Sequence, residues 1–145
     1  MGYCTQAIIE SRIGISILVE LADLDGDGSP DPVIMADAIA AAVALIDSHI
    51  SRRYSTPLAA PVPRMIQDLS VNLAIYILAS SPNRKPTEAM VKSYDESIKL
   101  LAAVRDDKQD VPGLSDRTGG ADDKTNCGVT DGQERIFGRN NMKDF

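Results

Sequence analysis

Residues 31–53 read DPVIMADAIAAAVALIDSHISRR, and their apolar period is helical. Ile39, Val43, Ile46 and Ile50 recur at spacings of four, three and four, which is one stripe on an α-helix. Ala36, Ala38, Ala40, Ala41, Ala42 and Ala44 fill much of the rest. Alanine has the strongest helix propensity, and its small side chain lets neighbouring helices approach closely. Asp31 and Pro32 read as N-cap and first helical residue. The pattern predicts a long helix from Pro32 to about Arg53.

Upstream, Asp23-Leu24-Asp25-Gly26-Asp27-Gly28-Ser29-Pro30-Asp31 sets carboxylates at alternating positions with a glycine at the sixth. That is most of a calcium loop of the EF-hand kind, but its twelfth position, where a bidentate Glu belongs, is Ile34. Two readings stay open. Asp23, Asp25, Asp27 and Asp31 hold a weak Ca²⁺ site, with the Ser29 carbonyl adding to the shell. Alternatively, Gly26 and Gly28 make a tight turn and Asp31 caps the helix at its positive end. Further upstream, Thr5–Ile13 and Ile15–Ala22 read as short helices separated by Gly14, with Thr5 as an N-cap and Ile17, Leu18 and Leu21 turned inward.

Downstream, Arg52-Arg53-Tyr54 closes the long helix. These cations either stabilise the helix C-terminus or meet an acidic neighbour. Pro57, Pro61 and Pro63 mark an extended connector. A helix then starts near Val62 with the stripe Val62, Ile66, Leu69, Leu73 and Tyr76 or Ile77, and ends near Ser80-Ser81-Pro82. Asn83–Pro86 is a loop. Thr87 caps a last helix to about Asp107, with Val91, Tyr94, Ile98 and Leu101 inward. The expected fold is all-α, a small bundle of about four to five helices with an extended C-terminal tail. Residues 1–109 form the body, 110–134 a Gly- and Asp-rich flexible linker, and 135–145 a docking peptide. No strand pattern is convincing.

The formal charge of −6 argues against nonspecific nucleic-acid binding and against a polybasic membrane contact. No apolar stretch of about 18 residues is free of charge, so no membrane span is expected. Nor is a signal peptide, since no basic region precedes an apolar run. Aromatics are only 4% and Trp is absent, so the core is aliphatic. Cys4 and Cys127 lack metal-site spacing; they are two reduced thiols or one disulfide. No catalytic motif is present. His49, the one histidine, lies within the long helix, and no enzyme is expected.

A family likeness runs along nearly the whole chain. It rests on Tyr3-Cys4-Thr5, on Leu21–Gly28 before the Ala-rich helix, and on Ile46–Tyr54 followed by Pro57-Leu58 and Pro61. Ala74–Leu78, Val91–Ile98 and Arg135-Ile136-Phe137-Gly138-Arg139 continue it to the aromatic terminus. In their order these resemble the Mu-like phage family of small head–tail connector or neck proteins. The resemblance implies a head-completion adaptor of the virion, assembled in the host cytoplasm. It implies a cyclic homo-oligomer of twelve copies beneath the portal protein, followed by the next neck or tail-terminator protein. Genomic DNA would pass through the channel without sequence-specific binding, and no membrane would be involved. The carboxy-terminal segment of such proteins reaches a neighbouring ring. By that resemblance Arg135, Ile136, Phe137, Arg139, Met142 and Phe145 are the docking residues, beside the Arg52-Arg53-Tyr54 cluster. The alternative class is a small calcium-binding or regulatory interaction module.

Overall fold

The computed structural model describes residues 2–81 and 84–117. Five helices follow in order: α1 Gln6–Ile13, α2 Ile15–Ala22, α3 Pro32–Ile50, α4 Arg64–Ala79 and α5 Glu88–Arg105. No strand occurs among the described residues, so the body is all-α as the periodicity predicts.

The short helices break where expected. Gly14 takes φ 82°, a left-handed conformation that ends α1 and admits α2 at a new angle. Thr5 holds the N-cap position, but its side chain makes no capping bond. Leu18 and Leu21 are buried, whereas Ile17 is exposed.

α4 is the central helix. Ile66, Leu69, Ser70, Val71, Leu73, Ala74, Ile75, Leu78 and Ala79 are all buried, which covers most of its circumference. A single stripe therefore understated it, because α1, α2, α3 and α5 all pack on α4. It starts at Arg64 rather than Val62, since Pro63 caps it. α3 lies along α4 through Met35, Ala38, Ala42, Ile46 and Ile50. Ile39 and Val43, expected in the core, are half-buried at its flank. Two alanines take the inner positions instead, where a small side chain lets the helices close on each other. The helix proper ends at Ile50, and Tyr54 N–H closes the following turn on the Ile50 carbonyl at 2.9 Å.

α3 also has a mean hydropathy of 1.8 over an 18-residue window, long and apolar enough to cross a membrane despite Asp37 and Asp47. With Asp37 and Asp47 inside it, α3 is not a charge-free stretch, as the sequence reading expects. In the bundle one face of α3 belongs to the core.

α5 sits at the edge. Its Thr87 cap accepts from Met90 N–H as predicted. Of the four residues expected inward, Leu101 is buried and Val91, Tyr94 and Ile98 are half-buried. Tyr94 stacks on Tyr76 of α4 with ring centroids 4.0 Å apart.

Packing does not stop at residue 109. Val111 is 2% exposed and donates its N–H to the Tyr54 hydroxyl at 3.2 Å. Leu114 packs against the core, and Arg117 N–H donates to the Arg53 carbonyl. Residues 110–117 thus form a strap on the body rather than part of a free linker. The rest of the expected linker, the docking peptide 135–145 and Cys127 lie outside the described residues.

Candidate functional site

Charge gathers at the two ends of α3. At its N-terminal end the loop after α2 winds around its own carboxylates. Asp23 Oδ1 accepts from Gly26 N–H at 2.6 Å and its Oδ2 from Gly28 N–H at 3.0 Å. Asp25 Oδ1 accepts from Asp27 N–H at 3.3 Å. Asp27 Oδ1 accepts from the N–H and the hydroxyl of Ser29, both at 2.7 Å. Gly26 and Gly28 have φ of 77° and 83°, which only glycine adopts without strain. The two glycine amides favour the ionised form of Asp23 and hold its carboxyl below the usual carboxylate range.

Asp23, Asp25 and Asp27 bring one carboxylate oxygen each within 4.8 Å of one another. An all-oxygen donor set of this kind fits a hard cation such as Ca²⁺. Asp31 does not join them. Its Oδ1 accepts from Val33 N–H at 2.8 Å and caps α3, with its own N–H on the Ala22 carbonyl at 2.9 Å. Of the four proposed ligands the structure thus assembles three and gives the fourth to helix capping.

At the C-terminal end of α3 the sequence cluster divides. Arg52 is exposed, but Arg53 is 8% and Tyr54 2% exposed, so both belong to the interior and not to a docking surface. The Arg53 guanidinium makes four hydrogen bonds through its two Nη atoms and an ion pair through Nε. Nε pairs with Asp107 at 2.8 Å. Nη1 donates to the carbonyls of Val104 at 3.2 Å and Gln109 at 3.0 Å. Nη2 donates to Asp110 at 2.8 Å and Asp116 at 3.0 Å. These carboxylates hold the guanidinium more firmly charged than usual, those of Asp110 and Asp116 foremost. The acidic surface that Arg53 meets is therefore the chain's own strap. Nothing local in the sequence marks this hub except a cation followed, some fifty residues on, by Asp107, Asp110 and Asp116.

A third node ties the N-terminus down. Tyr3 is 3% exposed; its hydroxyl donates to Asp47 of α3 and accepts from Leu58 N–H at 3.0 Å. Burial, then the bond to Asp47, pushes its pKa up to about 12. Next to it Cys4 is buried, with Ser70 Oγ donating to its sulfur at 3.2 Å, and burial pushes the thiol up as well. His49 spends Nδ1–H on the Leu45 carbonyl of its own helix, at 2.9 Å.

The chain matches the family described as Bacteriophage Mu, Gp36 over residues 3–127. It is similar to gene product J of Escherichia phage Mu, with 35% identity over 92 residues, 63% of this chain and 62% of that protein. The chain thus matches less than two thirds of that relative's length. The family match takes in Tyr3, the Asp loop, Arg53 and the whole strap, and stops before the 135–145 segment.

Proposed function

The chain belongs to the Bacteriophage Mu, Gp36 family, and on that premise we propose that it is a structural protein of the virion neck. It acts as a head–tail connector, a cyclic homo-oligomer seated beneath the portal protein and carrying the next neck or tail-terminator protein. It acts by assembly and docking, without catalysis. One observation carries the reading beyond the family: the strap tied to Arg53 fixes Arg117, the last described residue, at one defined point of the helical body. A rigid body with a peptide anchored at one place suits a protein that joins neighbours in a ring. The acidic charge of −6 suits a channel through which DNA passes without sticking.

Light scattering tests this directly. The purified chain is measured alone and after mixing with its cognate portal protein. A ring, or a monomer that joins the portal in several copies, supports the connector. A monomer that ignores the portal overturns it.

The calcium-binding module remains as a second reading because Asp23, Asp25 and Asp27 do converge. It requires micromolar Ca²⁺ affinity with a change in helicity, which calorimetry and circular dichroism read together.

A further inference from the structure

The apolar residues of α3 do not end at the core. Opposite the buried face, Val33, Ala36, Ala40 and Ala44 form an exposed stripe, with Val33 67% exposed. A helix apolar on all sides is normally covered on all sides. Yet only 28% of the 18-residue α3 window is buried. Beside the stripe runs a groove of about 540 Å³, lined by Gly2, Ala36, Ile39, Ala40, Val43 and Asp47 among others. Its wall is tight: a Cβ on Gly2 would lie 2.6 Å from Ile39 Cγ2.

One carboxylate lines the groove and a second stands beside it. Asp47 lines the groove, and Asp37, outside its lining, stands exposed next to Ala36. Ten residues separate them along the helix, about 15 Å. The chain contains a peptide of matching pattern, Arg135-Ile136-Phe137-Gly138-Arg139. In an extended chain Arg135, Phe137 and Arg139 share one face, with the two cations about 13 Å apart. An aromatic ring between two cations meets a small-residue groove with one carboxylate in its lining and a second beside it. Reach is sufficient. The stretch 118–134 spans up to roughly 56 Å when extended, against about 26 Å along α3 from Arg53 to Ala36.

We propose that the α3 groove is the docking site for Arg135–Arg139 of the same chain. Phe137 lies over Ala40, and the two arginines pair with Asp37 and Asp47. The docked peptide covers the apolar stripe that would otherwise face water. This goes beyond the connector reading, since it needs neither portal nor ring.

The chain has no Trp, so Phe137→Trp gives the full-length protein a single reporter. In dilute solution the expected emission is blue-shifted, with quenching by acrylamide several-fold weaker than for a free indole and no dependence on protein concentration. Adding Ala40→Glu, an exposed position and a helix-compatible residue, should abolish the shift without altering the helical signal. Arg135→Glu with Arg139→Glu, which alters no residue of the helical body, should do the same. A water-like emission in the Phe137→Trp chain overturns the proposal. So does a blue shift that survives Ala40→Glu, or one that appears only as concentration rises, which would mean that a second copy covers the groove. A failed connector reading leaves all these outcomes unchanged, so the two ideas fall separately.

Discussion

At the C-terminal end of α3 one cation, Arg53, draws in three carboxylates and two carbonyls. At the N-terminal end three carboxylates converge without a cation and fold around loop amides. Both clusters hold three aspartates, yet they answer to different physics. The buried guanidinium makes four hydrogen bonds and three ion pairs within its own chain, and its role is to hold the strap. The loop carboxylates are satisfied only by short local bonds and stay open to water, so they could accept an ion at little structural cost. A charge cluster that is complete in itself is architecture; one that remains open on one side is a candidate site.

The largest effect should come from breaking the complete cluster. Arg53→Ala removes four hydrogen bonds and the ion pair to Asp107 at once, takes the side-chain donor from the Gln109 carbonyl, and leaves residues 106–117 without their anchor. A fall in Tm of about 10 °C is expected, with amide exchange in the strap rising far more than in α4. Arg53→Lys keeps the charge but not the planar fork, and should recover less than half of the loss. If Arg53→Ala melts like the parent chain, the hub is ornamental and Arg53 returns to the pool of partner-binding candidates.

Tyr3→Phe comes next. It strands the Leu58 N–H and costs about 1–2 kcal/mol. Its pH dependence is the sharper readout. The Tyr3 pKa rises from 10.0 to about 12 on folding, so above pH 10 the native state keeps a proton that the unfolded chain loses. The stabilisation is complete below about pH 10 and drains away as pH climbs through about 12. Urea midpoints measured across that range should fall for the parent chain, whereas Tyr3→Phe should lack this component. Parallel slopes would remove Tyr3 from the account.

Smaller still is Asp31→Ala, which deletes the α3 cap and should cost about 1 kcal/mol at neutral pH. The comparison sharpens if Asp27→Ala, in the same loop but off the cap, costs clearly less. Equal losses would mean that the loop works as one unit and that Asp31 is not separable from the three converging acids.

How much of this was legible follows from the range of each interaction. Gly14, Asp31-Pro32 and Thr87 mark element boundaries because caps and breakers act within a few residues, and the structure places helix ends at all three. Core faces were read less well. Ile39 and Val43 gave way to Ala38 and Ala42, since α3 chooses its inner face by how closely it can approach α4, and periodicity alone does not report that distance. The strap was invisible for the same reason. Asp110–Arg117 has the composition of a linker, and only the folded position of Arg53 gives its acids a partner. The Asp loop was legible as a pattern, but the diversion of Asp31 to capping was visible only as one of two competing roles.

The smallest predicted effect concerns the open cluster itself. With three converging carboxylates, no terminal Glu and Asp31 committed to Val33, the loop should bind Ca²⁺ only in the millimolar range. At a calcium concentration equal to Kd, linkage adds about 0.4 kcal/mol, a rise in Tm of roughly 2–3 °C. Asp25→Asn should abolish that rise while leaving the metal-free Tm almost unchanged, because Asp25 accepts a single long bond of 3.3 Å. Acid should erase it too. Asp23 is held ionised below the usual carboxylate range by the Gly26 and Gly28 amides, so its contribution persists above that range and disappears as pH falls through the lowered value. Arg53→Ala should melt early whether or not calcium is present, since its hub lies at the other end of α3. Micromolar binding with a gain in helicity would reverse the reading of the two ends: the loop would then be the switch and the Arg53 strap the part it moves.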